Sequence, residues 1–213
     1  MEKQLKTKRN CAAGFSLVEL IVSMTIMLVI LGAAVATFSG ALATQSYQSA
    51  RTDALTSAQA AINLMSREIG NSGYGLERGI LASNGLVLAD CTATRLHFRA
   101  NTNNYNSTTS DSGEDVTFYY DSSSQSIVRY DASNGGTSSG IINQVSNVQF
   151  VYWDYATNGS ATQVSVPSDN TARVTIKLTV LLAKDKTDAT SKLNVKVESD
   201  VTLRNSQYSV GQY

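Results

Sequence analysis

The apolar pattern of the chain begins with one long run near the N-terminus. The 24 residues from Phe15 to Phe38 contain a single charged side chain, Glu19. A helix needs about 20 apolar residues to cross a bilayer. The run therefore predicts a transmembrane helix over residues 15–38.

The helical pattern continues beyond this run, but with polar positions between the apolar ones. The apolar positions are Tyr47, Ala50, Ala54, Leu55, Ala58, Ala61, Ile62, Met65 and Ile69. Recurrence at three and four residues is typical of a helix that buries one face. Glycines at positions 70 and 73 indicate where the helix ends. We therefore expect one helix over residues 15–70, half transmembrane and half amphipathic.

After Gly73 the apolar pattern changes to the short, often alternating runs of β-strands. Strands are predicted over 94–99, 116–120, 125–130, 141–155, 172–183 and 193–203, and the short runs 80–81 and 86–88 predict a further strand or hairpin. Polar loops are predicted over 101–113, 131–140, 157–171 and 184–190. Consecutive strands favour an antiparallel sheet, with one face packed on the helix. The expected fold class is α+β, with a β-rich domain over residues 71–213.

The segment before the apolar run is a short basic leader, residues 1–14. A secretory signal has its small-residue cleavage site after the apolar region, but here the plausible site, Gly14-Phe15, comes before it. Cleavage there would keep the helix and create an ammonium group on Phe15, four residues from Glu19. Residues at this spacing share a helix face, so an ion pair could form within one helix or between two helices. An ionisable side chain in an apolar span indicates a functional role.

Two other interpretations of the N-terminus remain open. The apolar run could be an uncleaved signal anchor in which Glu19 has no role. It could also be an ordinary secretory signal that is cut late, near residues 34–36 or 41–43. A carboxylate inside the hydrophobic region argues against the second interpretation.

The segment Gly14-Phe15-Ser16-Leu17-Val18-Glu19 resembles the prepilin peptidase site of type IV pilins and of type II secretion pseudopilins. The resemblance implies the type IV pilin fold, cleavage after Gly14 and N-methylation of Phe15. It also implies that Glu19 docks subunits during filament assembly. The implied partners are the prepilin peptidase, other pilin subunits and the inner membrane before assembly, with the β-domain outside the cytoplasm.

Later segments resemble particular subgroups of these proteins. The helix end over residues 64–69 with the following Gly73-Tyr74-Gly75 resembles W-type minor pilins. The strands over 145–153, 173–178 and 201–205 are similar to W-type minor pilins and to J-type pseudopilins. This resemblance implies a low-abundance subunit that helps to start or cap a filament. A J-type pseudopilin of a secretion system is the first alternative. A membrane-anchored binding domain that never joins a filament is an alternative of a different class.

Small residues recur at Gly32, Ala36 and Gly40 within the apolar helix. Small residues four apart allow helices to approach closely in a membrane, so we expect a packing role. The alternative is that Gly32 only loosens the helix. Many major pilins have a proline near the position of Ala36, and this chain departs from that pattern.

Length, charge and cysteine content narrow the function further. The 213 residues suit one domain with a long helix, and the formal net charge is zero. Loss of the leader would leave 13 basic and 16 acidic residues, a formal charge of −3, which gives no electrostatic footprint for nucleic acid. Cys11 would be lost with the leader, so Cys91 could form no intrachain disulfide and is expected to be a buried small apolar residue.

Candidate chemistry in the β-domain is sparse. His97, the only histidine, alternates with Arg95 and Arg99 and is predicted to lie on a solvent face. No triad, multi-histidine metal site, cofactor site or enzymatic function is therefore expected. Three acids, Asp111, Glu114 and Asp115, favour a solvated turn over a calcium loop.

Two further sets of polar and aromatic residues have open interpretations. Asn106 and Asn158 each begin a glycosylation sequon, although chance matches are common in such loops. Aromatic residues group at Tyr119, Tyr120, Tyr130, Tyr152, Trp153 and Tyr155. They could form an interface or belong to the core.

Overall fold

The structure, a computed structural model, describes residues 14–76, 84–103, 108–182 and 194–211. Several predicted features lie outside these residues: the leader up to residue 13 with Cys11, the run 80–81, the start of the sequon at Asn106 and the turn over 184–190. The chain divides into two units, Met1–Tyr47 and Gln48–Tyr213.

The first helix, α1, spans Leu17–Gly70 and contributes to both units. It begins two residues after Phe15, because the first helical bond runs from the Leu20 amide to the Ser16 carbonyl at 3.1 Å. It ends at Gly70, where the apolar pattern also ends.

In the first unit, every described residue is exposed. The N-terminal part of α1 is long and apolar enough to cross a membrane, judged by its length and composition. Side chains of this unit therefore have no protein core of their own to enter.

The second unit contains two four-stranded antiparallel sheets rather than the single sheet that the sequence predicts. The first sheet has the order β1-β2-β3-β4 and the second has the order β6-β5-β7-β8. The strands of the first sheet are β1 (Arg95–Arg99), β2 (Asp115–Asp121), β3 (Ser126–Asp131) and β4 (Thr137–Ile142). Those of the second are β5 (Val145–Tyr155), β6 (Ala161–Val164), β7 (Thr171–Leu181) and β8 (Asn194–Thr202). A short helix, α2 (Gln207–Val210), follows β8. The α+β class is confirmed.

The core of this unit lies among the C-terminal part of α1 and both sheets. The helix contributes the predicted apolar positions from residue 58 onward: Ala58, Ala61, Ile62, Met65 and Ile69. The first sheet contributes Leu96, Phe98, Phe118 and Ile127, and the second contributes Val148, Phe150, Tyr152, Ile176 and Leu178. Cys91 is buried with them, as expected for a small apolar residue.

Two predicted loops are wrong in part, because each contains an edge strand. Strand β4 lies within the predicted loop 131–140 and continues past it, and β6 lies within the predicted loop 157–171. Four of the six residues of β4 and three of the four residues of β6 are exposed. A strand that buries little of either face has little reason to alternate, so its sequence is typical of a loop.

The predicted strand or hairpin over 86–88 is also wrong for the described residues. Leu86 forms a single bridge with Phe98, and Leu88–Asp90 is a 3₁₀ turn. Gly85 lies just before it with φ +76°, and a Cβ on Gly85 would be 2.0 Å from the Gly73 nitrogen. Only glycine allows this approach of two backbone segments.

Candidate functional site

The predicted cleavage and docking residues lie together at the start of α1. Gly14 and Phe15 precede the helix, and Glu19 lies in its first turn. A carboxylate in the first turn is favoured by the helix dipole. Phe15 is 75% exposed, and an added Cβ on Gly14 would have no neighbour within 4 Å. The segment is therefore accessible from all sides among the described residues.

Ser16 is the residue at this site that the sequence analysis did not single out. Its carbonyl accepts the first helical bond, which places it at the N-cap. Ser16 and Glu19 have the Ser-x-x-Glu spacing of a capping box, a signal that is readable in the sequence. In the described part of the chain neither side chain forms a hydrogen bond, so the Glu19 carboxylate has no partner there.

Four hydroxyl groups further along the exposed helix form hydrogen bonds within the helix, unlike the Glu19 carboxylate. Ser23 donates to the Leu20 carbonyl at 2.9 Å, and Thr25 donates to the Val22 carbonyl at 2.8 Å. Thr37 and Thr44 likewise donate to carbonyls three or four residues earlier. These groups satisfy their donors within the helix, as a lipid environment requires. Glu19 is the ionisable group that the helix leaves unsatisfied.

The small residues Gly32, Ala36 and Gly40 lie in the same exposed unit, away from the cleavage site. A Cβ at Gly32 or Gly40 would have no neighbour within 4 Å, apart from the helix's own backbone. The chain itself therefore gives no steric reason for glycine at either position. At about 100° per residue, Gly32, Ala36 and Gly40 lie roughly 140°, 100° and 60° around the helix from Glu19, so the line of small residues approaches the Glu19 face towards Gly40.

The predicted position of His97 is wrong. His97 is 9% exposed, and both its ring nitrogens face carboxylates: Nδ1 is 2.8 Å from Asp90 Oδ2 and Nε2 is 2.5 Å from Asp115 Oδ1. Both nitrogens can donate together only in the protonated ring. The hydrogen bond from His97 is the largest influence that lowers the pKa of Asp90. The Arg99 Nε also donates to Asp115 at 2.8 Å, so this cluster ties β1, β2 and the 3₁₀ turn together.

The predicted solvated acidic turn is also wrong in part. Glu114 is fully buried, and its carboxylate accepts hydrogen bonds from the Asn103 and Asp111 amides, each at 3.2 Å. These amides come from the loop before β2, so the acid organises the loop instead of facing water. Among the described residues, no group of three or more His, Cys, Asp or Glu side chains is placed to hold a metal ion.

The aromatic group divides between core and surface, as the two interpretations allowed. Tyr152 is fully buried, and its hydroxyl donates to the Thr92 carbonyl at 2.8 Å. Burial raises the pKa of this hydroxyl. Trp153 and Tyr155 alternate to the other face of β5, where Arg173 lies 4.4 Å from the Trp153 ring centroid. Tyr155 also stacks on Tyr208, which the sequence analysis missed because 53 residues separate them.

Residues 9–35 match the family model described as the prokaryotic N-terminal methylation motif. The match covers the predicted cleavage residues, Glu19 and Gly32. No curated protein and no solved structure matches the chain.

Proposed function

From the methylation motif and the apolar helix, which support a membrane-anchored type IV pilin-like or pseudopilin protein, we propose a minor pilin subunit of a type IV pilus. The motif implies processing by a prepilin peptidase and assembly with other pilins. In our proposal the peptidase cuts after Gly14, Phe15 becomes N-methylated, and the subunit helps to start or cap the filament. It acts as a structural subunit and not as an enzyme.

The observation that carries the proposal is the Glu19 carboxylate, which has no hydrogen-bond partner in the described part of the chain, whereas Ser23 and Thr25 bond to carbonyls of the same helix. A carboxylate that enters a low-dielectric environment needs a positive partner. Cleavage would create such a partner, the Phe15 ammonium of a neighbouring subunit. Pairing in this way would set the axial register of one helix against the next.

Gly32, Ala36 and Gly40 provide a second contact in the same proposal. Gly32 and Ala36 lie roughly 140° and 100° around the helix from Glu19, so they would pack against a different neighbouring helix. Close approach of backbones at small residues stabilises helix association in a membrane. A subunit with both contacts can join a bundle of more than two helices.

The orientation follows from the charge of the leader. Lys3, Lys6, Lys8 and Arg9 precede the apolar run, and basic residues stay on the cytoplasmic side. The β-domain would therefore lie outside the inner membrane before assembly and on the filament afterwards, where it contacts other minor subunits.

The first experiment is the intact mass of the protein from membranes, with and without the prepilin peptidase. We expect a mature chain that starts at Phe15, carries one methyl group, and requires the peptidase. An intact leader would favour the anchored-domain interpretation. A cut near residue 36 or 43 would remove Glu19 from any role in assembly.

The second experiment tests the docking role of Glu19. We expect Glu19→Ala and Glu19→Gln to insert into the membrane normally and to be lost from sheared filaments, because both remove the charge. Asp53→Ala is the matched control, since Asp53 is an exposed carboxylate on the same helix outside the apolar run. Normal incorporation of Glu19→Ala would contradict the proposed role.

The other two candidate functions predict different phenotypes. A J-type pseudopilin would use the same helix contacts, but its loss would impair secretion and not piliation. A membrane-anchored binding domain would be absent from the filament fraction whatever residue stands at position 19.

A further inference from the structure

A groove lies beside the outer face of the second sheet, between the end of β5 and α2. Its lining includes Tyr155, Thr157, Asn170, Gln207 and Tyr208, and its volume is about 480 Å³. This volume is within the range of small-molecule sites. The groove is far along the chain from the methylation motif, and filament assembly does not account for it.

One wall of the groove is aromatic. The rings of Tyr155 and Tyr208 have centroids 4.5 Å apart and planes tilted by 32°. The surface continues from Tyr155 to Trp153, because the Arg173 guanidinium lies 6.0 Å from the Tyr155 centroid and 4.4 Å from the Trp153 centroid. The tilted rings and the guanidinium form a packed aromatic platform with little freedom to rearrange.

The backbone around the platform is held in place by hydrogen bonds. Ser206 caps α2 by accepting from the Ser209 amide, and the Asn205 side chain donates to the Ser72 carbonyl at 3.0 Å. On the opposite side, the Tyr155 amide donates to the Asn170 carbonyl at 3.0 Å. The groove is therefore formed before any ligand binds, which lowers the entropic cost of binding.

The described polar side chains that line the groove are neutral. In the part of the chain that the structure describes, no hydrogen bond is formed by the side chains of Thr157, Asn170 and Gln207 or by the hydroxyls of Tyr155 and Tyr208. Together they offer both donors and acceptors. None of the described lining residues is charged.

From this combination we propose that the groove binds a neutral saccharide. The apolar face of a sugar ring packs on an aromatic ring, and its hydroxyls both donate to and accept from amides and hydroxyls. The absence of charge in the described lining disfavours an ionic ligand. Single-stranded nucleic acid also stacks on aromatic rings, but it needs a positively charged groove. Here Arg173, the cation beside Trp153 and Tyr155, has Asp200 within 3.8 Å.

The test uses the full-length chain in micelles of a detergent without a sugar headgroup, because a glycoside detergent would compete. Maltotriose, cellotriose and chitotriose are the probes, and saturation-transfer NMR and calorimetry report binding. We expect at least one trisaccharide to bind and Tyr208→Ala to weaken it roughly tenfold, since a ring contact is lost. Asn170→Ala should also weaken binding. Tyr130→Ala is the matched control, because Tyr130 is an exposed tyrosine on the other sheet.

Three results would overturn the proposal. The first is no binding of any of the three probes at about 10 mM by a chain that unfolds cooperatively on heating. The second is equal binding by wild type and by folded Tyr208→Ala and Asn170→Ala. The third is binding of an oligothymidylate in preference to all three saccharides, which would assign the groove to single-stranded nucleic acid. None of these results depends on whether the chain joins a filament.

Discussion

The two halves of α1 have the same secondary structure but obtain their apolar contacts from different sources. Large apolar side chains from Leu17 to Phe38 are 49–75% exposed, whereas Ala58, Met65 and Ile69 are fully buried. The first half therefore needs lipid or other helices to cover it, and the second half is covered by its own domain. A helix pattern in the sequence predicts the helix but does not say what will cover its apolar face.

The two halves of α1 also differ in where their polar side chains find hydrogen-bond partners. In the first half, the hydroxyls of Ser23 and Thr25 bond to carbonyls of the same helix. In the second half, Glu68 accepts from Arg129 Nε at 2.8 Å, and Arg129 Nη1 donates to Asp131 at 3.3 Å. In the first half, these hydroxyls therefore find hydrogen-bond partners within the helix. In the second half, Glu68 finds its partner in a distant segment of the chain.

Substitution of a glycine should show the largest difference between the two units in its effect on the free energy of unfolding. Gly85→Ala would place a Cβ 2.0 Å from the Gly73 nitrogen at φ +76°, so we expect the free energy of unfolding to fall by about 3 kcal/mol or more. Gly32→Ala meets nothing within 4 Å and should leave the stability of the β-domain unchanged. Thermal unfolding of the full chain in detergent measures both. Equal effects of the two substitutions would contradict the comparison.

Methionines give a smaller but better matched test, because both lie on α1. Met65 is fully buried and Met27 is 71% exposed. We expect Met65→Ala to lower the free energy of unfolding by about 2–5 kcal/mol, as a cavity forms. Met27→Ala should stay within about 0.5 kcal/mol. Denaturant titration followed by tryptophan fluorescence measures the difference, since Trp153 lies in the β-domain. A large loss in Met27→Ala would show that the first half is packed on its own chain.

The smallest expected effect is a dependence of β-domain stability on acid. Burial acts to raise the pKa of Asp131, but hydrogen bonds from Ser133, Gly113 and Arg129 outweigh it and lower the pKa. A carboxyl with a lowered pKa stabilises the fold above its unfolded value of 3.8 and loses this contribution as the pH falls through the folded value. Stability should therefore decrease below about pH 4.

The control for this effect is Asp131→Asn, which cannot titrate. It should be less stable at neutral pH and should show a shallower decrease in melting temperature between about pH 4 and pH 2. An unchanged acid slope would mean that other carboxyls dominate it. The Asp90 carboxyl, whose pKa is lowered by His97, is the next to test.

The predictable part of the fold is the part in which burial imposes a pattern. Helix α1 and strands β2, β3, β5 and β7 bury one face or both, and their sequences show it. Edge strands β4 and β6 are mostly exposed and polar, so no periodic signal marks them. The number of sheets could not be predicted either, because strand pairing is set by contacts between distant residues.

The two candidate sites differ in whether their residues are neighbours in the sequence. The residues from Gly14 to Glu19 are contiguous, so the motif is visible in the sequence. The saccharide groove combines β5, the loop before β7 and α2, and Tyr155 meets Tyr208 only in the folded chain. His97 illustrates the same limit, because Asp115, which shares it with Asp90, is 18 residues away.

The internally bonded hydroxyls of Ser23, Thr25, Thr37 and Thr44 have a consequence for how the helix changes its surroundings. Transfer of the helix between a bilayer and a helix bundle, in either direction, would break none of these bonds, because each lies wholly within the helix. The two environments would then differ for the helix mainly in how its side chains pack and in what surrounds the Glu19 carboxylate. Such a helix keeps these hydroxyl bonds in either environment, and under our proposal Glu19 is the ionisable group of the apolar run whose partner would change.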